Sequence, residues 1–412
     1  MENALLTFYV IALIIFLGFF GTLLSRKTNI PSLIFLVCLG LILGPILGLF
    51  DYGPLMEASP ILAALTISVI LFESGLNTNF QELSSQGKRG VLLGVLGFVL
   101  NVLGIGALFH FVLHFDLLYG IMIGCILGGT CSAVAITVSK QMNLSEEVQL
   151  ILTIESITTD VLCIVGATTL LKYIKLGSTT VETVLPQFAS SFTTGIVTGI
   201  ALGILWLYLI NFLKNEHYLY MFTFATLLLT YSTTELLGGN GGIAALSYGL
   251  IFGNSREIFK AFKMNIDPER NRLIEKSIRE FHSEITFLIS SFFFVFLGLI
   301  YVFESPLTVL LGAITSGIVL ALRYIAVRIS MFKSRHSEES AAVTAIIGKG
   351  IAAAALSTLI LQNSLPNASQ SVNIILNTII FSNVITVILV VLSNRKKKSK
   401  NYVQQFAKKF KN

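Results

Sequence analysis

The stretch Ile154-Glu155-Ser156-Ile157-Thr158-Thr159-Asp160 puts two carboxylates and three hydroxyls inside an apolar run from about Val148 to Ile174. The run is long enough to cross a bilayer as a helix. One carboxylate at the centre of such a helix costs about 2.5–3.5 kcal/mol on insertion scales, and intramembrane ionisable groups mark ion pathways, proton relays or tight internal pairs. Ser156 and Asp160 are four residues apart and share one helix face. Together they offer hard oxygen ligands to a small cation. Glu155 and Thr159 share the adjacent face.

Other charged residues fall into roles around this stretch. Arg323, in Leu320-Ala321-Leu322-Arg323-Tyr324, is the natural partner for Glu155. A buried pair of that kind is structural, since removing one member typically costs about 3–5 kcal/mol. Asp160 is then left free to exchange its ion. Glu73 ends the span Leu71-Phe72-Glu73-Ser74-Gly75-Leu76-Asn77 as a third carboxylate near a helix end. Glu235 sits at another helix end and reads as a solvated terminus. Glu146-Glu147 and Glu338-Glu339 stand at helix starts, facing solvent as partners of the helix dipole.

The elements that carry these residues belong to a membrane protein. The 412 residues are 54% hydrophobic and only 12% charged, with a mean hydropathy of +0.82, where soluble domains carry about 25% charged residues. The net charge of +6 lies in loops and the C-terminal tail, which argues against a nucleic-acid footprint. Cys38, Cys125, Cys131 and Cys163 all fall in apolar runs, without metal-ligand spacing or a disulfide framework. The first run, about Leu5 to Leu24, lacks a basic leader and reads as a retained helix.

Apolar runs predict an all-α polytopic fold of about thirteen transmembrane helices, near 4–25, 31–49, 56–76, 90–114, 117–140, 146–174, 184–213, 217–237, 241–254, 272–302, 305–333, 339–362 and 370–394. Basic residues concentrate on one set of connections: Arg26, Lys27, Lys88, Arg89, Lys140, Lys214, Arg256, Lys260, Lys263, Arg270, Lys333, Arg335 and the tail from Arg395. The opposite ends collect only Lys172 and Lys175. That asymmetry predicts an outside N-terminus and a cytoplasmic C-terminus. The expected organisation is a transmembrane domain over 1–394 and a basic cytoplasmic tail over 395–412, which reads as a stop-transfer anchor.

Two spans have glycines and polar groups at mid-depth: Gly128-Gly129-Thr130-Cys131-Ser132 in the fifth and Gly348-Lys349-Gly350 in the twelfth. Gly-interrupted segments at matching positions of two halves predict inverted repeats with crossing broken helices. Gly129 and Lys349 are 220 positions apart, and the helices that follow begin near 146 and 370. The repeats are expected over about 4–174 and 217–394, with a linker helix over about 184–213. Each break leaves a partial positive charge on one half-helix end and a partial negative charge on the other. Asp160 and Lys349 have the signs to balance them.

Four of these segments resemble motifs of the monovalent cation:proton antiporter-1 family, the NhaP-type Na+/H+ antiporters. Phe72-Glu73-Ser74-Gly75-Leu76-Asn77 is similar to FEGGLN/FEAGLN, and Glu155 through Asp160 to ESxxND. The segment from Thr234-Glu235 to Gly242 resembles the family's AE-containing, Gly-rich stretch, and Gly348-Lys349-Gly350 its second break. The resemblance covers nearly the whole chain in order. It departs at Thr130-Cys131-Ser132, where the family has Thr-Asp-Pro, at Thr159 for Asn, and at Lys349 for Arg. The lost acid bears on charge balance and ion selectivity.

The resemblance implies that Asp160 binds a cation and a proton in alternation. Ser156 and the Thr130 carbonyl would be further ligands, Thr159 would stand among the ion- and proton-binding residues, Glu73 would contribute from a facing domain, and Glu155–Arg323 would support the site. It also implies a homodimer in which a core domain moves against a dimer-forming domain. With Thr159 unable to ionise, one titrating acid gives exchange of one Na+ (or Li+) for one H+ with no cofactor, and no enzymatic reaction is expected. A K+/H+ exchanger of the same fold is the nearest alternative. A ligand-gated potassium efflux subunit is disfavoured because few residues follow the last span. An intramembrane aspartyl protease is disfavoured because Asp160 is the only mid-span Asp.

Overall fold

The computed structural model describes residues 9, 12–21, 23–24, 32–48, 53–78, 80–176, 181–213, 218–261, 268–303, 305–332 and 334–409. The start of the first span and Arg26, Lys27, Lys214, Lys263 and Lys333, all used in the orientation reading, lie outside the described residues. So does the end of the tail, 410–412.

Each of the expected apolar runs contains helix. The chain begins with α1 (Ala12–Gly21) and α2 (Ser32–Leu41), which runs into a wide turn at Ile42–Ile46 carrying Pro45. Next come α3 (Gly53–Leu76), α4 (Phe80–Ala107), α5 (Leu117–Ile126), α6 (Ser132–Gln141) and α7 (Glu146–Leu176). The expected linker is α8 (Val181–Phe212). After it follow α9 (Leu219–Leu236), α10 (Gly241–Gly253), α11 (Ser255–Ala261), α12 (Pro268–Leu299) and α13 (Pro306–Ser330). The chain closes with α14 (Ser340–Ala345), α15 (Ile351–Gln362) and α16 (Ala368–Lys409). Seven helices among the described residues are long and apolar enough to cross a membrane. The last apolar span covers Ala368–Ser393, and its helix α16 continues beyond it through Lys409.

Local sequence sets several starts. Asp116 caps α5 by accepting from Leu118 N at 2.9 Å, and Asn240 caps α10 by accepting from Ile243 N at 3.1 Å. Ser305 caps α13, with Pro306 in the first turn. Such caps satisfy amide donors that the helix leaves open, and proline is tolerated where no donor is needed.

The short ninth span is explained by packing. Helix α10 lies against α3 and α8 and is buried over most of its length. A Cβ on Gly249 would lie 2.3 Å from the Phe72 carbonyl oxygen, so only glycine permits this approach. Helix α4 packs on α7, α5 and α13, and α13 packs on α16. Helix α16 carries a buried polar series, Ser371, Asn373, Asn377, Thr378, Ser382, Asn383 and Thr386. In lipid such groups face protein rather than hydrocarbon: Ser382, Asn383 and Thr386 meet the broken segment before α15, while Ser371 meets Tyr119 and Asn373 and Asn377 meet Val302 and Tyr301.

Candidate functional site

Both interrupted spans are broken. Residues 127–131 separate α5 from α6, and residues 346–350 separate α14 from α15. Non-helical backbone at membrane depth needs partners for its freed amides and carbonyls. The breaks supply some to each other. Cys131 N donates to Gly348 O at 2.9 Å, and Lys349 Nζ donates to Gly129 O at 2.7 Å. The cation therefore sits at the negative, C-terminal end of the first broken span, as its sign required.

Neighbouring helices supply the rest. Thr130 N donates to Thr159 Oγ1 at 3.3 Å, and Asn101 Nδ2 donates to Gly128 O at 3.3 Å. Around the second break, Ile347 N reaches Thr386 Oγ1 at 3.2 Å and Lys349 N reaches Ser382 Oγ at 3.2 Å. Asn383 Nδ2 donates to Lys349 O at 2.8 Å.

Glu155 and Arg323 form the expected pair. Arg323 donates through Nη1 to Glu155 Oε1 at 2.8 Å and through Nη2 to Oε2 at 3.0 Å. Its Nε holds Val343 O, in the last turn of α14, at 3.1 Å. Thr130 Oγ1 adds a 2.7 Å hydrogen bond to Glu155 Oε1. Both charged residues are buried. One fork thus joins α7, α13, α14 and the first break.

Asp160 is equally buried, at 5% exposure, yet it has no ion pair among the described residues. It lines a pocket of about 20 Å³ with Thr130, Cys131, Ser132, Cys163 and Gly350, where both broken spans resume as helix. The N-terminal ends of α6 and α15 bring partial positive charge to that place. A carboxylate there, uncommitted to any cation of the protein, can hold a mobile one.

Not every residue singled out in the sequence reaches this pocket. Ser156 shares the helix face, but it is fully buried, its Oγ donates back to Thr153 O at 2.9 Å, and it does not line the pocket. Thr159 braces the first break through its hydroxyl, which also donates to Ser156 O at 3.0 Å. Glu73 lies in a separate, larger cavity of about 290 Å³ beside Ser283 and Thr286.

Two peripheral readings are corrected. Glu235 is no simple solvated terminus: its Oε1 accepts from Gly241 N at 2.8 Å, at the start of α10, and its Oε2 pairs with Lys172 at 3.3 Å. Glu339 does not face solvent as a partner of its own helix. Its Oε2 accepts from Ser145 N at 3.0 Å, at the start of α7. Glu147 Oε2 meets His336 Nε2 at 2.7 Å in the same cluster. Sequence reasoning passed over Asn101 and Asn383, although an asparagine in the middle of an apolar run is itself a signal for internal hydrogen bonding.

The chain is similar to known proteins. The family described as "Sodium/hydrogen exchanger, transmembrane" matches residues 11–392. The Na(+)/H(+) antiporter ApNhaP of Aphanothece halophytica is 29% identical over 273 residues, 66% of this chain and 50% of the relative. The K(+)/H(+) antiporter NhaP2 of Shewanella sp. (strain ANA-3) is 26% identical over 362 residues, 85% of this chain and 60% of the relative. The chain thus spans about half to three fifths of the length of these curated relatives. Among solved structures, the sodium proton antiporter MjNhaP1 from Methanocaldococcus jannaschii at pH 8 aligns over 95% of this chain and 96% of that chain. Its TM-score is 0.76 at 25% identity.

Proposed function

Because the chain belongs to the sodium/hydrogen exchanger family, we propose that it exchanges a monovalent cation, Na+ or Li+, for a proton across the cell membrane. The observation that carries this reading is the contrast between two buried carboxylates one and a half turns apart on α7. Glu155 is committed to Arg323 and Thr130, whereas Asp160 opens into the pocket at the crossing without a cationic partner. A deprotonated Asp160 binds the cation with help from Thr130, and a proton displaces it. Competition for one carboxylate is the coupling. One site with two exclusive guests gives an exchange of one for one, which moves no net charge.

Lys349 and Arg323 neutralise the C-terminal half-helix ends and keep the crossing rigid around Asp160. Glu73 attracts cations into the larger cavity rather than ligating the ion at Asp160. The mechanism needs the site to face each side of the membrane in turn, with the α4–α7–α13–α16 cluster moving against the α3–α10–α8 cluster. The N-terminus is outside, the C-terminus is cytoplasmic, and the functional unit is a homodimer, as the charge asymmetry and the family resemblance suggest. A second reading keeps the machine and changes the cation: NhaP2 relatives bear the name K(+)/H(+) antiporter, and oxygen ligands alone do not fix ion size.

The test uses proteoliposomes with an acid interior and an internal pH dye, challenged with Na+, Li+ or K+, with and without a valinomycin voltage clamp. Exchange driven by Na+ or Li+, indifferent to voltage and abolished by Asp160→Asn, supports the reading. A response to K+ alone selects the second reading. Continued exchange by Asp160→Asn sinks both.

A further inference from the structure

The 290 Å³ cavity that holds Glu73 and the 20 Å³ pocket that holds Asp160 are lined by different residues, with two exceptions among the described residues. Cys131 and Ile351 line both. Cys131 holds the N-cap position of α6, without a side-chain cap, and Ile351 is the first residue of α15, so both half-helix N-termini line both cavities. Both side chains are half-buried. The junction is narrow: a Cβ on Gly350 would lie 2.4 Å from Cys131 Sγ.

We infer that Cys131 and Ile351 form a neck through which each cation passes between the Glu73 cavity and the Asp160 pocket, and that this neck discriminates cations by size. The inference rests on Asp160 as the ion carboxylate. Neither side chain offers an oxygen. The thiol is a soft group that suits soft metals rather than alkali cations, and isoleucine offers no ligand. A cation in the neck therefore loses water without replacement, and the width of the passage sets how large a cation can pass. The hard ligands lie on either side, at Glu73 and at Asp160 with Thr130.

The experiment measures Li+, Na+, K+ and Rb+ exchange in proteoliposomes for the wild type, Cys131→Ser, Ile351→Ala and Asp160→Asn. Wild-type protein is also treated with aminoethyl methanethiosulfonate. This cationic reagent forms a mixed disulfide with an accessible thiol and releases methanesulfinate. Ile351→Ala should raise the K+ to Li+ rate ratio by about tenfold, the discrimination that a few methyl groups give in a pocket. The reagent should stop wild-type exchange and spare Cys131→Ser. If Cys131→Ser is inactive, block that persists in Cys38→Ser, with Cys131 labelled by mass spectrometry, carries the same information. A rate ratio unchanged within about twofold, together with no block through Cys131, overturns the neck even where Asp160→Asn is inactive. Exchange that survives Asp160→Asn overturns the carboxylate reading instead, and Cys131 labelling in that variant still reports whether the neck opens to the cavity.

Discussion

Replacing Arg323 with methionine strands a buried negative charge. Glu155 would keep only the Thr130 hydroxyl, and Val343 O would lose its donor. Breaking a buried ion pair from one side costs about 3–5 kcal/mol in soluble proteins. Hydrogen bonds between membrane helices are weaker, about 0.6 kcal/mol on average and at most about 1.7. The charged fork should follow the first range, because the stranded carboxylate finds no water, while the Val343 bond follows the second. Unfolding entropy of about 2.1 cal/mol/K per residue, over 412 residues, converts a loss of about 4 kcal/mol into a melting shift of about 5 °C. The double variant Glu155→Gln/Arg323→Met removes the stranded charge, so it should regain at least half of that loss. Melting of purified protein in detergent, followed by tryptophan fluorescence or aggregation, measures all three proteins. A double variant as unstable as the single one would refute the stranded-charge argument. So would a single variant that melts with the wild type.

Three further outcomes follow from named contacts. Lys349→Arg should retain exchange, since a guanidinium can still donate to Gly129 O, whereas Lys349→Met should lower turnover by about tenfold or more as that carbonyl loses its only charged partner. Asn240→Ala removes the α10 cap and the 2.9 Å bond to Thr168 Oγ1 and should cost about 1–2 kcal/mol in melting experiments. Glu339→Ala should loosen the start of α7, seen as faster amide exchange at Ser145–Gln149, because the Ser145 amide then has only water.

How far the sequence reached depends on whether a feature is local or relational. The helices, the two breaks and the Glu155–Arg323 pair were visible because hydropathy, mid-span glycines and the rarity of intramembrane charge are properties of single segments. Lys349 was assigned to a half-helix end because such an end has a known sign, and its Nζ donates to Gly129 O. That Ser156 does not line the pocket has a different reason. A shared helix face brings two residues to the same side, but rotamer and register decide what a hydroxyl touches, and the Ser156 hydroxyl turns back to Thr153 O. Thr159, expected among the ion-binding residues, holds a backbone amide of the first break, a contact that its place on the helix face does not reveal. Glu339 looked like a partner of its own helix and caps another 194 positions away. Such pairings are set by the docking of distant segments, which no local pattern encodes.

On the proposed mechanism, Cys131, at the position where the resembled motif carries an acid, bears on the charge that the ion site carries across the membrane. Two cationic side chains, Arg323 and Lys349, serve the two C-terminal half-helix ends, and two carboxylates, Glu155 and Asp160, lie on α7 beside them. With all four ionised, the empty crossing has no net charge. A bound Na+ gives it one positive charge, and a proton on Asp160 gives the same. Both loaded forms therefore cross the field with equal charge in opposite directions, and the membrane potential does no net work over a cycle. An added carboxylate at position 131 would make the loaded forms neutral and the empty form anionic, so stoichiometry would survive while the speed of each half-cycle would respond differently to voltage. Cys131→Asp is thus expected to keep electroneutral overall exchange but to change how the rate of Na+ counterflow depends on a clamped potential. Counterflow in proteoliposomes under opposite valinomycin clamps measures that dependence directly. An identical voltage profile for Cys131→Asp and the wild type would mean that charge at the crossing is compensated elsewhere.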